Sequence, residues 1–177
     1  MSEIKLGIIG GGQLGSMLSE AARKLNIKTI IYCDDPNAPA KNFCDDFIYA
    51  EYNNKDKIYE FAKKVDVITY EFENIPYETL NELNKLKPVK PKPSVNRLIQ
   101  HRLAEKDFIN KLNIRTTRYV QVENKEDLEP LNDFLPGILK TTTLGYDGKG
   151  QYPIRKMDEI NSLNINFDNE YILEKLV

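Results

Sequence analysis

Hydrophobic and polar positions follow two alternating periods in the first half of the chain. Runs rich in β-branched residues predict strands, and apolar residues recurring every three or four positions predict helices. The predicted strands are Lys5–Ile9, Ile27–Cys33, Asp46–Glu51 and Val65–Tyr70, and the predicted helices are Gln13–Leu25, Lys55–Lys64 and Tyr77–Leu86. Strands that alternate with helices build a parallel sheet covered on both faces. The first half is therefore predicted to be an α/β domain.

A proline-rich stretch interrupts this alternation at Val89–Pro93. Neither Pro91 nor Pro93 can donate a ladder hydrogen bond, and each biases the residue before it toward an extended conformation. We place the domain boundary directly after this stretch. The first predicted domain is 1–93 and the second is 94–177.

The pattern in the second half predicts a mixed α+β domain. Helical spacing runs from Ser94 to Leu112 along an apolar stripe, as two helices that meet near Gln100. The predicted strands are Thr117–Val122, Pro136–Thr142, Gln151–Lys156 and Tyr171–Val177, and the further predicted helices are Lys125–Phe134 and Met157–Leu163. A glycine-rich loop joins two of these strands.

Composition narrows the classes of function. The formal net charge of −2, with 41% apolar residues, offers no broad cationic surface for nucleic acid or an anionic membrane. No apolar run approaches the roughly 20 residues needed to cross a bilayer, so a cytoplasmic protein is expected. Cys33 and Cys44 lack metal-type spacing, which favours two reduced thiols. His101 is the only histidine, which excludes a multi-histidine metal site or a serine–histidine triad.

The first glycine motif is Gly10-Gly11-Gly12-Gln13-Leu14-Gly15, between a predicted strand and a predicted helix. It satisfies the G-x-G-x-x-G pattern of a Rossmann-like dinucleotide site, and Asp34 follows at the distance expected for an acid that binds ribose hydroxyls. Taken alone, the motif predicts an NAD(P)-dependent oxidoreductase. A glycine turn that serves only strand–helix packing is the structural alternative.

The second glycine motif follows an apolar strand that ends in Lys140. Glycines at 145, 148 and 150 suit a loop that closes over phosphates, because glycine reaches positive φ and lets backbone N–H groups approach an anion. Lys140 and Lys149 supply positive charge. An ordinary Asp-Gly hairpin is the alternative interpretation of the same residues.

Together these motifs resemble the ATP-grasp superfamily, and most closely the family of 5-(carboxyamino)imidazole ribonucleotide synthases. The resemblance rests on the segments Gly7–Gly15, Thr69–Pro76 and Gly145–Gln151. It implies a Rossmann-like pre-ATP-grasp domain followed by the first lobe of an ATP-grasp domain. In such proteins the first domain keeps its glycine turn for the ribonucleotide substrate and does not bind NAD.

The resemblance also implies two sets of site residues. The implied ATP-binding residues are Arg102, Lys140, Gly145, Tyr146, Asp147, Gly148, Lys149, Gly150, Gln151, Glu174, Lys175, Leu176 and Val177. The implied substrate-binding residues are Gly12, Gln13, Leu14, Glu71, Tyr146 and Lys149. Two departures weaken parts of this assignment. Lys149 stands where many relatives have arginine, and Leu176-Val177 stands where many have Gly-Ile.

The implied reaction is carboxylation of 5-aminoimidazole ribonucleotide by bicarbonate, with cleavage of ATP to ADP and phosphate. Mg²⁺ is implied as a cofactor, its ligands being expected beyond residue 177, so the chain is expected to be the inactive amino-terminal portion of a longer enzyme. A homodimer is expected by analogy. An NAD(P)-binding oxidoreductase domain and a short, non-catalytic nucleotide-binding module are the alternatives.

Overall fold

The computed structural model describes residues 4–145 and 148–177, and the chain divides into two compact units, Met1–Arg97 and Leu98–Val177. This division falls inside the helix Pro93–Ile99, and the domain boundary expected after Pro93 stays a prediction. Tyr146 and Asp147 lie outside the described residues.

The first unit contains a four-stranded parallel sheet in the order β3-β2-β1-β4. Its strands are β1 (Lys5–Ile9), β2 (Lys28–Cys33), β3 (Asp46–Tyr49) and β4 (Val67–Tyr70), and its helices are α1 (Gln13–Lys24), α2 (Lys55–Lys64), α3 (Tyr77–Leu86) and α4 (Pro93–Ile99). The predicted alternation of strands and helices is thus confirmed. Val89 adds one parallel bridge beside β4.

Apolar side chains cover both faces of this sheet. On one face, Ile9 and Tyr32 pack with Phe61 of α2 and with Leu80 and Leu83 of α3. Ile8 and Ile31 belong to a second cluster, with Cys33, Ala38 and Ala40. Because adjacent strand residues point to opposite faces, a strand buried on both faces must be apolar throughout, as Gly7-Ile8-Ile9 is. The two clusters hold the carboxyl ends of the strands in place.

Tyr32 gives the first unit a measurable alkaline sensitivity. It is 1% exposed, and its hydroxyl donates to the Glu51 carbonyl at 2.7 Å. Burial, reinforced by the charges of Glu51 and Asp34, raises its pKa to about 12. Below pH 10 this tyrosine is neutral in both the folded and the unfolded chain. Between pH 10 and 12 the unfolded chain loses the proton first, so stability falls by about 1.4 kcal/mol per pH unit from this group.

We therefore expect Tyr32→Phe to make the decline of unfolding free energy between pH 10 and 12 shallower, as measured by urea unfolding. Tyr49→Phe is the matched control, because Tyr49 is 54% exposed. An identical alkaline slope in the wild-type chain and the Tyr32→Phe variant would contradict this assignment.

The second unit contains a four-stranded antiparallel sheet in the order β5-β8-β6-β7. Its strands are β5 (Tyr119–Val122), β6 (Gly137–Thr141), β7 (Gln151–Ile154) and β8 (Tyr171–Lys175), and its α-helix is α5 (Arg102–Lys111). The sequence-based fold class, a parallel-sheet α/β domain followed by an α+β portion, is confirmed. The helical stretch divides near Gln100, as predicted.

Strand pairing assigns the residues of this sheet to two faces. Leu139 pairs with Leu173, and both side chains are buried in the core of the unit. The residues one position along, Lys140 and Glu174, must point to the opposite face. The members of that second face are Tyr119, Gln121, Ile138, Lys140, Gln151, Pro153, Ile172 and Glu174. We call it the charged face.

One sequence-based expectation for this unit needs correction. The segment Lys125–Phe134 does not form an α-helix: it contains two 3₁₀ turns, Glu126–Leu128 and Asn132–Phe134. Pro130 has no N–H group and its ring clashes with the preceding turn, so a helix cannot pass through it. The short helix expected at Met157–Leu163 is confirmed as a 3₁₀ helix over Met157–Ser162.

The apolar stripe of the predicted helical stretch is not buried along α5. None of the α5 residues is buried, and Phe108 and Leu112 are 46% and 56% exposed. Polar side chains of α5 contact the sheet. Asp107, for example, accepts a hydrogen bond from the Tyr119 hydroxyl at 2.7 Å. The helical spacing is therefore confirmed as evidence for a helix, and no residue of that helix is buried.

Candidate nucleotide and substrate sites

The first glycine motif lies at the carboxyl edge of the parallel sheet, where open α/β sheets bind ligands. Gly10 has a φ of 99°, a conformation that favours glycine, and it follows β1 directly. Gly12 is the N-cap of α1, with no side-chain cap. The backbone N–H groups at the start of this helix therefore need an external acceptor.

Glu71 is that acceptor. Its Oε1 atom receives a hydrogen bond from the Gly12 N–H at 2.8 Å. A Cβ atom at Gly10 would lie 2.7 Å from the same oxygen, and one at Gly12 would lie 3.1 Å from it. The glycines thus make room for a carboxylate of the chain itself. A pyrophosphate bound at this turn would meet a negative charge already at the positive end of the helix.

A cavity of about 220 Å³ opens beside this turn. Its described lining residues include three acidic side chains, Asp34, Asp35 and Glu71, and no basic one. Burial raises the pKa of the Cys33 thiol in its wall, so this cysteine is a neutral packing group at neutral pH. Such a lining suits sugar hydroxyls or an amine better than it suits phosphate. Phe72 adds an apolar wall.

The predicted substrate residues are only partly brought together here. Gly12 and Glu71 line the cavity and contact each other. Gln13 and Leu14 lie on the first turn of α1 with exposed side chains, outside the described lining of this cavity.

A partly buried group of three charges lies at the charged face of the second unit, with Lys106 contributed by α5. Lys140 Nζ lies 2.9 Å from Glu174 Oε2, and Lys106 Nζ lies 3.5 Å from Glu174 Oε1. The three side chains are 18%, 15% and 11% exposed for Lys140, Lys106 and Glu174. One carboxylate is therefore shared by two ammonium groups, which leaves one positive charge in excess. A polyphosphate would balance it.

Arg102 holds the base of the glycine-rich loop. Its Nε donates to the Thr141 carbonyl at 3.1 Å, and its Nη2 donates to the Gly145 carbonyl. Its backbone N–H donates to the Thr142 carbonyl at 2.8 Å. The structure thus gives this arginine a role in shaping the loop, beside the phosphate contact that the sequence suggests.

The loop itself joins β6 to β7, as expected for the phosphate-binding hairpin. Gly148 and Gly150 have φ values of 79° and 65°, and the Thr141 N–H donates to the Gly150 carbonyl at 2.9 Å. Gln151 begins β7 opposite Lys140. Lys149 is exposed. The predicted contacts of Tyr146 and Asp147 lie outside the described residues.

The last strand was expected to meet adenine through residues 174–177. Glu174 points to the charged face, but main-chain groups beyond it are engaged within the chain. The Lys175 carbonyl accepts from the Thr117 hydroxyl at 2.6 Å, and the Leu176 N–H donates to the Pro136 carbonyl at 2.9 Å. Leu176 and Val177 have exposed side chains. Adenine recognition by this strand stays a prediction.

Sequence reasoning missed Lys106 and a polar network beside it. Lys106 lies four residues after Arg102, so the helical period alone places both on one face of α5. His101 Nε2 lies 3.0 Å from Glu170 Oε2, and Gln121 Nε2 donates to Glu170 Oε1 at 2.6 Å. Glu170 is the residue directly before β8 and is far along the chain from His101 and Gln121, so no local pattern could reveal these two contacts.

Residues 4–145 and 148–177 contain no group of three or more His, Cys, Asp or Glu side chains that could hold a metal ion. Within the same residues, no helix is long and apolar enough to cross a membrane.

The first unit is a parallel-sheet domain whose glycine turn is occupied by Glu71. The second is an antiparallel sheet with a lysine-bearing face and a glycine loop. This combination is typical of the pre-ATP-grasp and ATP-grasp class of proteins. The model of the ribonucleotide synthetase pre-ATP-grasp domain matches residues 3–100, and the ATP-grasp domain model matches residues 107–177. The chain belongs to the ribonucleotide synthetase pre-ATP-grasp family.

Several relatives of this chain are named N5-carboxyaminoimidazole ribonucleotide synthase. The N5-carboxyaminoimidazole ribonucleotide synthase of Brucella melitensis is 40% identical over 161 residues, which are 90% of this chain and 44% of that protein. The crystal structure of an N5-carboxyaminoimidazole ribonucleotide synthetase in complex with ADP matches with a TM-score of 0.89 at 37% identity, over 100% of this chain and 49% of that one.

A third relative was solved with both ligands of interest. It is the synthase from Aspergillus clavatus in complex with ADP and 5-aminoimidazole ribonucleotide, with a TM-score of 0.83 at 26% identity. The match covers 99% of this chain and 47% of the Aspergillus chain. The present chain therefore spans about half the length of the solved relatives that it matches.

Proposed function

We propose that this chain supplies the substrate-binding domain and the first nucleotide-binding lobe of an N5-carboxyaminoimidazole ribonucleotide synthase, an ATP-dependent carbon–nitrogen ligase of purine biosynthesis. The observation that carries the proposal is the charged face. Lys140 of this face and Lys106 of α5, both partly buried, lie against one carboxylate, next to a glycine loop with positive φ at two glycines. Relatives of the same fold were solved with ADP bound.

The proposed chemistry is carboxylation of an amine. A bicarbonate oxygen attacks the γ-phosphorus of ATP, ADP leaves, and carboxyphosphate forms. The amine of 5-aminoimidazole ribonucleotide then bonds to the carboxyl carbon, inorganic phosphate leaves, and the nitrogen loses one proton. The protein contributes position and charge rather than covalent chemistry.

Site roles follow from the placement of the residues. We propose that Lys140 and the loop residues 145–151 bind the phosphates, that Arg102 shapes the loop toward them, and that the segment 174–177 borders adenine. We propose the cavity beside Glu71 as the site for the ribonucleotide, with the substrate-binding residues named from the sequence. Its acidic lining supports hydroxyl or amine recognition.

Several expectations stay predictions at this level. They are the cofactor Mg²⁺, the use of bicarbonate, a homodimer, a cytoplasmic location and the lack of turnover by the 177 residues alone. Among residues 4–145 and 148–177, no group of three or more candidate side chains fits a metal, so we assign Mg²⁺ no ligand among them and route no step through it.

Calorimetric titration of the chain with ADP, 5-aminoimidazole ribonucleotide and NAD⁺ tests the proposal. We expect the first two to bind and NAD⁺ not to bind, because Glu71 holds the helix end that a pyrophosphate would need. Binding of NAD⁺ alone would favour the oxidoreductase. Binding of ADP without the ribonucleotide would favour a nucleotide-binding module, and robust bicarbonate-dependent ATP hydrolysis would contradict the expected lack of turnover.

A further inference from the structure

A second lysine, Lys106 of α5, contacts the charged face, and the proposed phosphate contacts do not use it. Lys106 reaches Glu174 from α5, whereas Lys140 reaches it from β6, and each lysine approaches a different carboxylate oxygen. All three groups are largely buried. One carboxylate is therefore paired with two lysines.

An unpaired buried charge lowers the stability of the folded chain. Breaking a buried ion pair by removing one partner is strongly destabilising, because the other charge stays without compensation. A polyphosphate that attracts the Lys140 ammonium would draw it away from Glu174. If Lys140 were the only partner of Glu174, this movement would oppose nucleotide binding.

Lys106 is held in place independently of Lys140. Its Nζ lies 5.4 Å from the centre of the Tyr119 ring, a cation–π distance. That ring is fixed in turn, since the Tyr119 hydroxyl donates to Asp107 at 2.7 Å. Helix α5 is tied to the end of β6 by the bonds of Arg102 to the Thr141 and Thr142 carbonyls. Lys106 therefore has contacts that a ligand at Lys140 does not disturb.

We infer that Lys106 is a positioning residue: it is the resident counter-ion of Glu174, and it allows Lys140 to turn from Glu174 to a nucleotide phosphate. The turn of Lys140 to a phosphate rests on the proposed function, whereas the pairing of Lys106 with Glu174 does not need a ligand. Lys106 itself makes no phosphate contact in this arrangement. Its effect on binding passes entirely through Glu174.

A ligand-free cycle tests the counter-ion role. We expect Lys106→Met and Lys140→Met each to lower the unfolding midpoint of the second unit by no more than about 4 °C, because one lysine remains for Glu174. The double variant is expected to lose more than about 15 °C. Adding Glu174→Gln to the double variant should restore most of the lost unfolding midpoint. If the double variant does not fold, recovery of a folded triple variant tests the same pairing. Additive single losses, or no rescue by Glu174→Gln, would overturn the inference.

Titration with ADP tests the consequence for binding. We expect Lys106→Met to weaken ADP binding about tenfold and Lys106→Arg to stay within about threefold of wild type, since arginine keeps the charge. In a Glu174→Gln background, Lys106→Met should change affinity less than about twofold. An equal loss in both backgrounds would mean that Lys106 acts on the nucleotide directly. A wild-type chain that does not bind ADP would refute the proposed function and the release of Lys140, while the ligand-free cycle would still decide the pairing.

Discussion

Replacing Lys140 with methionine is expected to weaken ADP binding about 100-fold. A charge-assisted hydrogen bond to phosphate contributes about 1.5–3 kcal/mol, and the larger value corresponds to that factor. The ammonium group lies on the charged face, 2.9 Å from Glu174 and beside the glycine loop. The fold should survive the substitution, because Lys106 still neutralises Glu174. Isothermal titration calorimetry with ADP measures the loss.

Lys111→Met is the matched control for this prediction. Lys111 is the last residue of α5, its side chain is exposed, and the substitution removes the same charge from the same unit. Its affinity for ADP should match that of the wild type. If Lys140→Met bound ADP as tightly as Lys111→Met, the charged face would not be the phosphate site.

Gly10→Ala is expected to destabilise the first unit by about 3 kcal/mol. Part of the loss is the conformational cost of a side chain at a φ of 99°, about 1–2 kcal/mol by analogy with other left-handed positions. The remainder is steric and electrostatic. The new Cβ would lie 2.7 Å from Glu71 Oε1, so the carboxylate must leave the Gly12 N–H that it now accepts from. Urea unfolding monitored on the first unit measures the loss.

A double-mutant cycle with Glu71→Ala separates the two parts. In the Glu71→Ala background, Gly10→Ala should cost only the conformational 1–2 kcal/mol, because the oxygen that it clashes with is gone. An equal cost in both backgrounds would show that Gly10 is needed for the turn alone, with no link to the carboxylate.

The regular elements near the two sites were accessible from sequence because they depend on local periodicity. The β1 strand, the α1 helix and the break near Gln100 follow from spacing of apolar residues along a few turns or pleats. The expected Lys125–Phe134 helix failed where Pro130 overrode that spacing. The charge of Lys140 at the end of an apolar strand was also a visible signal, since such a charge needs an anion or water.

The pairings that define the sites were not accessible in this way. Gly12 and Glu71 are 59 residues apart, and Lys140 and Glu174 are 34 apart. Only the register of neighbouring strands brings each pair together, and sequence spacing carries no record of that register. Lys106 was missed for a related reason: its spacing places it on the same face of α5 as Arg102, but nothing local shows that this face meets a carboxylate of β8.

The central place of β8 in its sheet joins two requirements in one strand. Leu173 fills the apolar core, while its neighbour Glu174 faces the lysines. A shift of β8 by a single residue would exchange the two, so that a carboxylate would enter the core and leucine would face the lysines. Insertions and deletions in β8 should therefore be far less tolerated than substitutions, because alignment with β5 and β6 governs the packing of the core and the pairing of these charges at once.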